Sequence, residues 1–279
     1  MRIPFVKMHG AANDFVVIDH REPFLPADRV ALFARLCDRR RGVGADGVLL
    51  LERESGLDFA MRYCNRDGRP ADFCGNGARC LARFALDRGL GRDGIVRFAS
   101  GAGVQEARRA GDGSGIELHF GRVGAAGALE EVRAAGESFS GRPVMAGVPH
   151  FVVGVADVGA VPLAGHGAAL RWHARFAPAG ANVDFVARLG AARLALRTWE
   201  RGVEGETLAC GSGAIAAALW AAAAGERSPV TVVTAGGDPL VVSFTRDGEG
   251  WDVRLTGPAE VAFTGEWTER APETAARGS

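Results

Sequence analysis

Cys74-Gly75-Asn76-Gly77-Ala78 and Cys210-Gly211-Ser212-Gly213-Ala214 are two versions of one phrase, 136 positions apart, and each opens a helical pattern. That spacing is close to half of the 279 residues, so the chain reads as one half-site used twice. A thiol at a helix N-terminus is favoured as thiolate, because unpaired backbone N–H groups and the macrodipole point at it. The glycines let the backbone approach a ligand closely, so the same turn suits a carboxylate. Two facing copies place one sulfur on each side of a bound carbon acid, the geometry of a two-base racemase.

Working outward at the same offset, Phe15-Val16-Val17 recurs as Phe151-Val152-Val153, Tyr63 falls on Trp199, and Gly89 on Gly225. Ser100-Gly101 falls on Gly236-Gly237, and Gly115 to Gly121 resembles Gly250 to Gly257 after a one-residue adjustment. With 40 glycines in the chain no single match is strong, but the shared offset is. It predicts a duplicated domain of roughly 120–130 residues.

Ile3 to Met8, Phe15 to Asp19, Val48 to Glu52 and Phe59 to Tyr63 read as strands, the first two around a turn at Gly10 to Asp14. Asp28 is placed to cap a helix through Val30, Phe33, Leu36 and Cys37. The first motif helix groups Ala78, Leu81, Ala82, Ala85 and Leu86 on one face, with Arg79, Arg83 and Asp87 off it. The second, Ala214 to Ala224, is apolar all round, which predicts a helix threaded through a curled sheet. Strands Ile95 to Phe98 and Val230 to Thr234 follow the two helices. The expected architecture is α+β: two pseudo-symmetric domains, 1–125 and 126–265, each a curled, mostly antiparallel sheet around a central helix. Residues 121–141 read as the linker zone and 266–279 as a mobile tail.

Hydrophobic content of 47% and charged content of 24% are globular values. Thirty-three basic against thirty-three acidic residues offer no electrostatic case for a nucleic-acid partner. No apolar run reaches the ~18 residues of a membrane span, and the N-terminus lacks a signal-peptide core, so a cytoplasmic protein is expected. Five cysteines without disulfide-like spacing fit a reducing compartment. The spacing around Cys74 and Cys80 does not suit a zinc site, and Cys-x-x-Cys is absent. Lys7, the only lysine, is the sole candidate for a pyridoxal Schiff base, and it lies in an opening strand. No metal and no cofactor are expected. For Cys37, Cys64 and Cys80 the bland reading, a small buried hydrophobe, is preferred.

Three motifs in order carry a resemblance: Met8-His9-Gly10-Ala11-Ala12-Asn13-Asp14-Phe15, Cys74 to Cys80, and Glu200-Arg201-Gly202 with Ala209 to Gly213. From residue 3 to about 265 the chain resembles diaminopimelate epimerase. The resemblance implies a cofactor-independent epimerase interconverting LL- and meso-diaminopimelate, on the route to lysine and peptidoglycan, and a homodimer. It makes Cys74 and Cys210 the acid/base pair. It aligns Asn13, Asn65, Asn182, Glu200 and Arg201, with the turns Gly75-Asn76 and Gly211-Ser212, to substrate-binding positions. His150 and Glu200 are expected near the thiols, influencing their ionisation. Three departures touch recognition of the distal group. Val148 stands where many members have Asn before Pro-His, Gly47 stands where some have Gln, and the loop 202–209 is one residue longer. By the residues alone, Asn13, Asn65 and Asn182 also suit turns, Glu200-Arg201 a surface pair, and His150 a structural role. A related racemase with a smaller substrate and a non-enzymatic thiol sensor are the competing readings.

Overall fold

The structure, a computed structural model, describes residues 1–111, 113 and 115–269. The first half runs β1 (Arg2–Gly10), β2 (Asn13–Asp19), α1 (Val30–Cys37), β3 (Gly47–Glu52), β4 (Phe59–Asn65), β5 (Pro70–Ala71), α2 (Gly75–Leu86), β6 (Ile95–Ser100), β7 (Gly103–Arg109) and β8 (Ile116–Gly124). The second repeats that order after one added strand: β9 (Glu130–Ala134), β10 (Glu137–Ala146), β11 (Val148–Gly154), α3 (Leu163–Arg171), β12 (Asn182–Gly190), β13 (Arg193–Glu200), β14 (Gly205–Thr207), α4 (Gly211–Ala223), β15 (Val230–Val233), β16 (Pro239–Asp247), β17 (Gly250–Gly257) and finally β18 (Glu260–Thr268). The pairs β2–β3, β4–β6, β11–β12 and β13–β15 are parallel; the others are antiparallel. β8 pairs with β17, so the two curled sheets run into one another. This is the duplicated, mostly antiparallel α+β architecture, with α2 and α4 as the two central helices.

Alternation of side chains along each strand decides which core they join. Phe15, Val17, Leu49 and Leu51 face α2, whereas Val16, Ile18, Val48 and Leu50 face α1. Strands covered on both faces have no polar side, which is why Gly47–Glu52 is a nearly continuous apolar run. α4 is buried from Gly213 through Leu219 and packs against β10–β13 and β15–β17. Its alanines are small enough for strands to close round it. On α2 the expectation fails at one residue: Arg79, placed off the apolar face by helical spacing, has no solvent exposure at all.

Strand register corrects the repeat. Phe15 lies opposite Gly47 across β2–β3, and His150 opposite Asn182 across β11–β12. Both members advance by 135, whereas the cysteines are 136 apart. The extra residue sits after β13. Asn65 and Arg69 are hydrogen-bonded across three residues, 66–68, but Glu200 and Gly205 pair across four, 201–204. Because a one-residue slip turns a strand over, Phe151-Val152-Val153 is not the counterpart of Phe15-Val16-Val17. Phe151 and Val153 face α3 while Phe15 and Val17 face α2. Trp199 likewise packs on the α3 side and Tyr63 on the α2 side. The spatial counterparts are Phe15 with His150, Leu49 with Asp184, Tyr63 with Thr198, Gly47 with Asn182, Asn65 with Glu200, and Asn13 with Val148.

Three boundaries also differ from the sequence reading. The expected linker 121–141 contains the end of β8, all of β9 and the start of β10, leaving 125–129 irregular; a Gly- and Ala-rich stretch was read as loop although β9 and β10 pair as a hairpin. Arg29, not Asp28, is the cap residue of α1, and Asp28 only accepts a long bond from the Val30 N–H at 3.4 Å. The tail expected from 266 is strand through Thr268, since Trp267 pairs with Ile3 and packs on the α1 core. Residues 270–279 of that tail lie outside the described residues. β18 thus returns to the first half, on β1, as β9 lies on β10.

Candidate active site

Both motif cysteines occupy the residue just before a helix, in extended conformation: Cys74 before α2 and Cys210 before α4. Crowding disfavours a side chain at one of the next glycines in each half, mildly at Gly77 and strongly at Gly213. A Cβ on Gly77 would lie 3.1 Å from Leu49 and 3.4 Å from Phe15; on Gly213 it would lie 2.7 Å from Asp184 Oδ1 and 3.0 Å from Thr198 Oγ1. Those contacts also fix the environment of each thiol. The first helix starts over an aromatic and aliphatic floor, the second over a polar one.

The two motifs meet directly. Asn76 Nδ2 donates to the carbonyl of Ala209, the residue before Cys210, at 3.2 Å, and to Asn13 Oδ1 at 3.1 Å. Cys74 Sγ lies 3.6 Å from the same Asn13 oxygen. Asn13 is oriented by its own Nδ2, which donates to Asp46 Oδ2 at 2.8 Å. It follows the two-residue turn Ala11-Ala12, where Gly10 pairs with Asn13 and both alanines have positive φ, 55° and 63°. That is the turn twist a tight hairpin demands, held here without glycine at a cost in strain. Ala11 is buried in the core of the other half, which holds the strained turn in place. Cys210 Sγ accepts from the Gly213 N–H at 3.4 Å and lies 3.4 Å from Ser212 Oγ.

Behind Cys210 is a chain of hydrogen bonds, buried up to its last link at Arg201. His150 Nδ1 bonds Asp184 Oδ2 at 2.6 Å, and Thr198 donates to Asp184 Oδ1 at 2.7 Å. Asn182 Nδ2 meets His150 Nε2 at 3.3 Å, and Asn182 Oδ1 accepts the Arg201 N–H at 2.7 Å. Both ring nitrogens of His150 are therefore engaged by Asp184 and Asn182 and not by a thiol. His150 favours the charged form of the Glu200 carboxyl. Glu200 accepts from Thr207 Oγ1 at 2.8 Å; burial nevertheless raises its carboxyl above the usual range. Asn182 keeps one N–H and one lone pair for a ligand. Asn65 ends β4, exposed, at the place that Glu200 takes in the second half.

Burial pushes the Cys74 thiol up to about 11, with the Gly77 and Asn76 N–H groups pulling it back. Cys210 is pushed well above the ordinary value by burial and then by the carboxylates of Glu200 and Asp184. All five cysteines are free. The sequence reading missed Asp46, Asp184 and Thr198. Asp184 was findable, because it lies two residues from Asn182 on one strand and therefore on the same face. Asp46 and Thr198 carry no such signal.

The sequence profile of the family described as diaminopimelate epimerase matches residues 5–124 and 143–262. A relative of that name from Methanocella arvoryzae is 40% identical over 95% of this chain and 96% of its own. One from Aquifex aeolicus is 39% identical over 96% and 99%. In fold, the chain is similar to a PhzF-family phenazine biosynthesis protein of Bacillus anthracis, with TM-score 0.74 and 14% identity over 96% of this chain and all of that one. It is also similar to a probable proline racemase of Agrobacterium radiobacter, with TM-score 0.72 and 17% identity over 98% and 94%.

Proposed function

The chain belongs to the diaminopimelate epimerase family, and from that membership we propose how this isomerase, which interconverts LL- and meso-2,6-diaminopimelate for lysine biosynthesis, moves its proton. Cys74 and Cys210 act as an acid/base pair on opposite faces of one Cα, one as thiolate removing the proton and the other as thiol delivering one. The observation that carries this reading is the Asn76 bond to Ala209, which joins the two helix N-termini at the two sulfurs.

No cofactor takes part in this scheme. The N–H groups at the turns Gly75-Asn76 and Gly211-Ser212 converge on the reacting carboxylate and hold the charge that develops as the carbon loses its proton. Each such donor contributes about 3–4 kcal/mol to lowering the barrier. Asn13 and Asn76 orient the reacting end. Arg201 holds the distal carboxylate by its planar fork, assisted by Asn65 and Asn182, and Glu200 faces the distal ammonium. His150 acts on the thiols through Glu200 and through its bond to Asp184. Val148, the counterpart of Asn13, gives up one neutral hydrogen bond, worth about 1 kcal/mol.

The protein works in the cytoplasm as a homodimer. No helix among the described residues is long and apolar enough to cross a membrane. Support for the dimer comes from β18, whose Val261 and Phe263 are each 49% exposed. Exchange in deuterated water tests the chemistry: early product should carry deuterium at Cα while recovered substrate remains unlabelled. Equal early labelling of both would mean a single base. Cys74→Ala and Cys210→Ala should each abolish turnover with the fold intact.

A further inference from the structure

Arg79 is the largest side chain with no solvent exposure among the described residues. It leaves α2 one turn beyond Cys74 and runs back toward the helix start, as long helical side chains do. Its guanidinium donates to Asn76 Oδ1 at 2.9 Å, to Pro258 O at 3.4 Å and to Gly75 O at 3.5 Å. None of these acceptors is charged. Burying a cation against neutral partners is costly, and the cost lowers the guanidinium's hold on its proton. The groups that could answer its charge are the thiols Cys74 and Cys80 and the carboxylate Asp238. Cys80 is pushed to about 12 by burial, which leaves it a thiol.

The second half has no counterpart of this cation. The matching position on α4, 136 residues on, is Ile215, fully buried. Where the first half has Phe15 and Leu49 under its helix, the second has His150 and Asp184. The two sulfurs thus differ in their charged neighbours: Cys74 has one carboxylate and one cation, Cys210 has two carboxylates and no cation. Beyond its burial, Cys74 faces the Gly77 N–H from α2, Glu200 from β13, the Asn76 N–H and then Arg79 from α2, with Tyr63 from β4. Cys210 faces Glu200 from β13, Asp184 from β12, and Ser212 and the Gly213 N–H on its own helix. Glu200 raises both thiols, so the charges that differ between them are Arg79 on one side and Asp184 on the other. The remaining contact, Asn13 Oδ1 at 3.6 Å from Cys74 Sγ, favours the protonated thiol, but a sulfur donor at that distance is weak.

We propose that Arg79 is a positioning residue whose fixed charge makes Cys74, not Cys210, the first of the two thiols to ionise. It thereby sets which face of the substrate carbon the resting enzyme deprotonates. The same guanidinium fixes Asn76: with Oδ1 turned to Arg79, Nδ2 faces Asn13 and Ala209, so charge and alignment of the half-sites come from one side chain. The consequence for stereochemistry rests on the two-thiol reading, but the order of ionisation does not.

The test therefore reads the thiols and not turnover. The full chain is alkylated with iodoacetamide across a pH series, and Cys74 and Cys210 are quantified separately by mass spectrometry. In the wild type the Cys74 midpoint should lie below that of Cys210. Arg79→Gln, which keeps a donor for Asn76 and drops the charge, should raise the Cys74 midpoint toward that of Cys210. Arg79→Lys should restore most of the difference. Cys80, with no solvent exposure, reports folding, because it labels only if the variant opens. A wild type in which Cys210 reacts at the lower pH overturns the proposal without any variant. So does a folded Arg79→Gln whose Cys74 midpoint has not moved. If the thiols behave as stated while Cys→Ala variants keep their turnover, it is the two-thiol function that fails.

Discussion

At the scale of single residues, the departures from the family pattern acquire causes. Gly47 is the first residue of β3 and the counterpart of Asn182. A Cβ there would come within 2.7 Å of Tyr63 Cε2 and 2.6 Å of the Cys64 carbonyl. Tyr63 is held edge-on against Phe15, with ring centroids 6.1 Å apart, so it occupies the room that a longer side chain at 47 needs. Gly47→Gln is expected to cost about 1–3 kcal/mol of stability, the usual range for overpacking, read as a shifted urea midpoint. In a Tyr63→Ala background the loss should shrink; equal losses in both backgrounds would show that Tyr63 is not the obstacle. Much of the site was legible at this scale. Both cysteines and their glycines declared themselves by repetition, and the resemblance supplied Asn13, Asn182, Glu200 and Arg201. Arg79 was missed because a buried charge looks like a surface one until its partners are in place.

Among the elements, the one-residue excess in 201–204 is what hid the true register, and it has its own support. Glu204 sits at φ +55° and its N–H returns to the Glu200 carbonyl at 2.9 Å. Its carboxylate accepts from Arg171 Nε at 3.2 Å and Nη2 at 3.1 Å, and from the Gly202 N–H at 3.1 Å. Arg171 is buried at the end of α3 and also donates to the Ala179 carbonyl at 2.9 Å. The loop that carries Arg201 is thereby tied to α3 on one side and, through Asn182, to β12 on the other. Glu204→Gln should raise KM for diaminopimelate severalfold while kcat stays within about twofold, since positioning of a distal anchor is uniform binding and not transition-state binding. A fall in kcat with KM unchanged would contradict this. The identities of α4 and β3 were legible here because α4 is apolar all round and β3 nearly so. Register was not, since sequence similarity aligned Phe-Val-Val runs whose faces are opposite in space.

For the whole molecule, the buried groups set a pH window for stability. Cys37 and Cys80 are raised to about 12 and Cys74 to about 11, with Cys64, Cys210 and Tyr63 also raised, all chiefly by burial. A raised folded value favours the protonated form, so this stability is complete below the ordinary thiol value of 9.0 and is lost as pH climbs from there toward 12. Asp14 runs the other way. Although burial opposes it, Arg39 and Lys7 hold its carboxyl at about 2 against an ordinary 3.8, so its contribution is present above 3.8 and lost as pH falls to 2. Urea midpoints should be level from about pH 5 to 8 and fall on both sides; a midpoint still level at pH 11 would refute the alkaline limb. The first and last strands of the described residues pair with one another, which makes a second prediction at this scale. β18 is the ladder partner of β1 from Arg2–Thr268 to His9–Glu260, and the Glu269 N–H closes on the Met1 carbonyl at 2.8 Å. Trp267 covers the core that Ile3, Phe5 and α1 build. α4 sits in the other core, which β18 does not touch. Ending the chain after Pro258 should therefore loosen the first half selectively. Amide exchange in β1, β2 and α1 should accelerate by about 100-fold or more, the signature of a local opening that costs far less than global unfolding. Protection in α4 should survive that loss. Equal acceleration in both helices would mean that the continuous β8–β17 pairing makes the two halves one cooperative unit, and that the returning strand stabilises the molecule as a whole.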